Sequence, residues 1–138
     1  MEAQVNLVGV VLAVVASMGV GSVWYSNGVF GKTWMKLVGL KEEDFKKMNW
    51  TPMVVMFLRA VTTAYLIAYL TFVANSFYGN SFLQDSLKLG VMLSILIVPV
   101  MAMHDLFENR RKKISLINGA HEFVTIMVMA LVIGLVGV

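Results

Sequence analysis

Four runs of mainly apolar residues divide the chain: Val5–Phe30, Thr51–Ala74, Asp85–Glu108 and Ile114–Val138. Each is long enough to carry an α-helix across ~30 Å of hydrocarbon, which takes about 20 residues. The pattern predicts an all-α polytopic membrane protein. Its four transmembrane helices would form an antiparallel bundle, one domain over residues 1–138. Local signals sharpen the ends. Asn27-Gly28 closes the first run, because Asn and Gly favour chain reversal. Thr51-Pro52 opens the second, where Thr can cap and Pro suits the first helical turn. Pro99 should free the carbonyl of Ile95 and bend the third.

Composition agrees with the pattern. Of 138 residues, 14% are charged, against about 25% in soluble domains, and mean hydropathy is +0.79. With no cysteine, disulfides and thiolate metal sites are excluded. The N-terminal Met1-Glu2-Ala3-Gln4 lacks the basic region of a secretory signal, so the first run is expected to be a retained span.

Charge is distributed unevenly. Lys32, Lys36, Lys41, Lys46 and Lys47 occupy the first connection, and Arg110, Arg111, Lys112 and Lys113 the third. The connection between the second and third runs has no Lys or Arg, although Lys88 lies just inside the third run. This asymmetry predicts a protein of the cell (inner, cytoplasmic) membrane, with both basic loops in the cytoplasm and both termini outside. It also makes nucleic acid an unnecessary explanation for the basic pI. Trp24, Trp34 and Trp50 would mark the cytoplasmic boundary. Within the first loop, a short amphipathic helix is expected around residues 40–48, its acids first and lysines last to suit the helix dipole. Leu37, Leu40, Phe45 and Met48 could rest on the membrane surface.

Two features point beyond simple insertion. Gly9, Ala13, Ser17 and Gly21 place a small residue at every fourth position of the first span, a ridge that admits a neighbouring helix backbone. Ionisable residues also lie inside the spans, where they are costly unless paired or facing the interior. Arg59 and Glu122 each lie about 12 Å along spans entering from the same side. Arg59, Thr62 and Thr63 share one helix face; Asn118, His121, Glu122 and Thr125 share another. The end of the third span adds His104, Asp105 and Glu108. Together these predict a polar cluster in the cytoplasmic half of the bundle, with an apolar outer half.

The plainest role for that cluster is an ion pair fixing helix register, with Arg59 held by Glu122 or Asp105. Proton or ion handling is the second reading, since histidine titrates near neutral pH. A metal site using His104, Glu108 and His121 is the weakest. No Glu-x-x-His pattern repeats, Arg59 would repel a cation, and no metal or other cofactor is expected. Hydrolytic and phosphate-binding motifs are lacking. The expectation is therefore a non-enzymatic packing or accessory subunit, in the lipid bilayer, joined to copies of itself or to other membrane subunits. The alternative is a small oligomeric proton or ion channel or transporter.

Two blocks of the sequence carry a family likeness. Trp24-Tyr25-Ser26, Phe30-Gly31-Lys32, Trp34-Met35 and Gly39-Leu40 form the first; Leu106-Phe107-Glu108, Arg110 and Ile117-Asn118 form the second. In their order and separation they resemble the domain of unknown function 1761 family. The resemblance implies a four-span integral membrane protein without an assigned activity. It singles out Trp24, Tyr25, Ser26, Gly31, Lys32, Trp34, Glu108 and Asn118 without giving them roles. Where the family carries a His in the second block, this chain has Glu122, with His121 one place earlier.

Overall fold

The computed structural model describes residues 4–47 and 49–137. It contains six helices among them: α1 (Leu7–Trp24), α2 (Gly31–Val38), α3 (Glu42–Lys46), α4 (Thr51–Tyr78), α5 (Phe82–Phe107) and α6 (Lys112–Val136). The described residues form no strand. Helices α1, α4, α5 and α6 are long and apolar enough to cross a membrane. The architecture is that of an all-helical membrane protein. The connection between α1 and α4 holds α2 and α3; the expected surface contacts of Phe45 and Met48 lie outside the described side chains and residues.

Helix ends follow local chemistry. The Asn6 side chain accepts hydrogen bonds from the N–H groups of Val8 and Gly9, capping α1. Pro52 occupies the first turn of α4, where a missing N–H costs nothing. Gly79, at φ 65°, closes α4 in the left-handed conformation that glycine adopts without steric penalty. Helix α1 stops at Trp24, short of Phe30, because residues 25–30 turn sharply. There Gly31 N–H donates to the Ser26 carbonyl. A Cβ on Gly31 would fall 2.3 Å from the Tyr25 carbonyl oxygen, so this turn requires glycine. Helix α5 continues through Pro99.

Helix α6 is the element around which the others are placed. It packs against α1, α4 and α5, and α2 also touches it. Its neighbours run antiparallel on two sides. Gly9 of α1 approaches Val136 while Gly21 approaches His121; Ser86 of α5 lies at Gly134 while Val98 lies at Gly119. The fit is closest at Gly134, where an added Cβ would sit 2.2 Å from Ser86 Oγ and 2.9 Å from the Leu83 backbone. Ile67, Ile126, Met129, Ala130 and Ile133 fill the centre. The small-residue ridge is spent inside the chain: Gly9, Ala13 and Ser17 are buried, and Val14 beside them is buried too. Outer faces remain apolar and exposed, as at Leu12, Val15, Met92 and Leu96.

Candidate functional site

The arginine inside α4 finds a carboxylate on α6. Arg59 Nη2 donates to Glu122 Oε1, joining the two residues placed at equal depth by the sequence. Their surroundings differ. The Glu122 side chain is 2% exposed and that of Arg59 49% exposed. Helix α4 explains the difference: its buried residues, Ala64, Ile67, Ala68 and Thr71, all lie beyond Arg59. The preceding stretch, Met53 to Leu58, stands exposed.

Beside the ion pair, α1, α4 and α6 line an open cavity of about 280 Å³. Its walls include Met18 and Gly21 from α1, Met53 and Met56 from α4, and His121 and Thr125 from α6. His121 Nε2 lies 3.4 Å from Thr125 Oγ1. The imidazole also meets aromatic rings, with centroids 5.0 Å from Tyr25 and 6.0 Å from Trp24.

Below His121, on the side of the basic loops, a second network forms. The Asn118 side-chain oxygen accepts from Tyr25 Oη at 3.0 Å and from Trp34 Nε1 at 3.1 Å. Trp24 Nε1 donates to the Ile117 carbonyl at 3.2 Å, and its ring packs on Phe30 at 4.8 Å. The sharp turn after α1 makes this possible, because it folds α2 back so that Trp34 reaches α6. Thus Trp24, Tyr25 and Trp34 do more than mark a boundary: they tie the two sequence blocks together. Ser26 contributes its carbonyl to the turn, and Lys32 stays exposed.

The remaining expected members of the polar cluster lie apart from Arg59. Glu108 accepts from Arg110 Nε at 2.6 Å, and Asp105 lies 3.7 Å from the same nitrogen. His104 is exposed. These residues sit at the end of α5, and Arg110, just past that end, is the nearer cation. The expected single cluster is therefore two groups. Among the described residues, no three of His, Asp and Glu converge as a metal-binding set.

At the opposite end lies a residue that the sequence reading passed over. Asp85 is 3% exposed. Its Oδ1 accepts from Asn80 Nδ2 at 2.9 Å, and Asn75 Nδ2 donates to the Asn80 carbonyl at 2.6 Å. Lys88 Nζ stands 3.9 Å from Oδ1, while Oδ2 makes no hydrogen bond within the chain. The half of the bundle away from the basic loops is thus not wholly apolar. The available signal was an Asp at the start of a span, four residues after a capping Ser81; it reads equally as an ordinary helix-start acid.

Residues 8–134 match the model of a family described as protein of unknown function, DUF1761. The chain belongs to that family. The match spans both sequence blocks and all four apolar helices of this DUF1761 protein. No curated protein and no solved structure matches it.

Proposed function

We propose that this DUF1761 protein is a packing or accessory component of a larger membrane assembly, homo- or hetero-oligomeric. It would lie in the cytoplasmic membrane with its basic loops in the cytoplasm and both termini outside. The observation that carries this reading is the filled centre of the bundle. Ile67, Ile126 and Ala130 are fully buried there, and Gly90 lets α5 close on Ala130. A single copy with such a core presents its surfaces, not an interior, to other molecules. No catalytic step is part of this reading.

A second reading rests on a different observation. The Arg59–Glu122 pair, His121 and Thr125 adjoin a cavity, and histidine beside a carboxylate is suited to moving protons. In that case His121, lining the cavity with Arg59, would handle the proton, and several copies would act together as a proton or ion channel or transporter. Purification from native membranes in mild detergent separates the two. A stoichiometric partner of unrelated sequence supports the accessory role. A pure homo-oligomer that conducts protons or ions after reconstitution into sealed vesicles supports transport and overturns the first reading. Orientation is tested with single cysteines at Ser76 and Lys113 and an impermeant thiol reagent on intact cells. Labelling is expected at Ser76; labelling at Lys113 alone overturns the topology.

A further inference from the structure

The α1–α4–α6 cavity is more than a neighbour of the ion pair. We infer that it binds a membrane amphiphile through an oxygen-rich head that accepts hydrogen bonds from Arg59, with the apolar tail lying along Met18, Met53 and Met56.

Three observations converge on this. First, the guanidinium has five N–H donors, and Glu122 Oε1 is its one acceptor among the described residues. Half of the Arg59 side chain is exposed beside the cavity, at a depth where hydrocarbon offers no acceptor. Unspent donors in such surroundings are costly. An oxygen-bearing head satisfies them without disturbing the buried carboxylate. His121 and Thr125 supply further polar contacts on the facing wall.

Second, the rest of the wall is apolar and adaptable. Met53 and Met56 are 62% and 57% exposed and Met18 54%, so the cavity is open along α4. Methionine side chains are unbranched and polarisable, and they mould to irregular chains. Third, the size is selective. About 280 Å³ falls just below the usual range of small-molecule sites, about 300–1,000 Å³. It accommodates a head and the first few methylenes, leaving the remaining tail to pass between α1 and α4 into the bilayer.

The required head chemistry is a cluster of acceptor oxygens. Two membrane sources provide it: the phosphate of an anionic phospholipid and the carbonyls of a prenyl-type quinone. The test uses the full chain in micelles of a polyoxyethylene alkyl ether, which carries neither phosphate nor carbonyl, titrated separately with phosphatidylglycerol and with a decyl-tailed benzoquinone. Thermal unfolding is followed by circular dichroism. A saturable rise in Tm with one or both probes is expected. Response to phosphatidylglycerol alone assigns a phosphate head; response to the quinone alone assigns a carbonyl head. Met56→Trp fills the cavity without touching the ion pair, and Met18→Phe does so from the facing helix. Each should weaken the response about tenfold or more while helix content is retained. Arg59→Lys, which keeps the charge but loses the fork of donors, should weaken it as well. If neither probe saturates, or if both filling variants respond like the parent chain, the site does not exist.

Discussion

The Arg59–Glu122 pair allows a prediction with a direction as well as a size. Glu122 is 2% exposed on its side chain, so removing its partner leaves a buried, uncompensated carboxylate. In soluble interiors that costs about 3–5 kcal/mol. Arg59 is 49% exposed, and its long stem lets a freed guanidinium reach toward the headgroups. Glu122→Gln also keeps an amide oxygen as acceptor. Its cost should be closer to that of a weakened charged hydrogen bond, about 1–3 kcal/mol. Arg59→Met is therefore expected to be the more damaging single change. The double variant should recover part of the loss, with a coupling of about 1–3 kcal/mol. Unfolding of all four proteins in mixed detergent micelles, followed by circular dichroism, measures this cycle. Strictly additive losses would show that the two charges do not stabilise one another. A larger loss for Glu122→Gln than for Arg59→Met would refute the asymmetry drawn from exposure.

The packing of the helices gives further expectations. Ala13→Leu should destabilise the bundle by about 1–3 kcal/mol, because Ala13 is fully buried, whereas Val15→Leu on the exposed face should be near neutral in the same micelle assay. Gly134→Ala should be costly, since its Cβ meets the Leu83 backbone and Ser86; Gly19→Ala, with open space around it, should be neutral or stabilising by up to about 1 kcal/mol. Asn118→Leu should break the hydrogen bonds that Tyr25 and Trp34 donate to this side chain. About 1–3 kcal/mol of stability and the native tryptophan emission spectrum should be lost together, and an unchanged spectrum would remove Asn118 from the network.

Much of the fold is legible because a bilayer imposes a length on every apolar run. All four runs became helices, and Pro52 stands where helix-end chemistry places it, although α4 runs on past Ala74 to Tyr78. The Arg59–Glu122 pair was also legible, since a constant rise per residue converts sequence position into depth. Depth says nothing about direction around the bundle, and there the sequence reading fell short. Asp105 and Glu108 lie beside Arg110 instead of Arg59. Trp34 read as an aromatic at a membrane boundary, yet its indole donates to Asn118, because a turn built on Gly31 redirects α2. Asp85 was hidden by its position, where a helix-start acid and a buried polar group look alike. The packing ridge was visible; that α4 and α6 lie against α1 became clear only from the contacts.

The central place of α6 has a consequence for how the chain is made. Synthesis proceeds from the N-terminus, and among the described helices α6 emerges after the other five. Until then α1 and α5 lack the surface on which both dock, and Arg59 has entered the bilayer 63 residues ahead of its carboxylate. The nascent protein thus passes through a stage with an unanswered cation and two unsupported helices. Completion of the C-terminal helix ends both conditions at once. Docking of α1 and α5 and neutralisation of Arg59 therefore both wait on α6: a chain interrupted before that helix exposes two unsupported helices and an unpaired cation together.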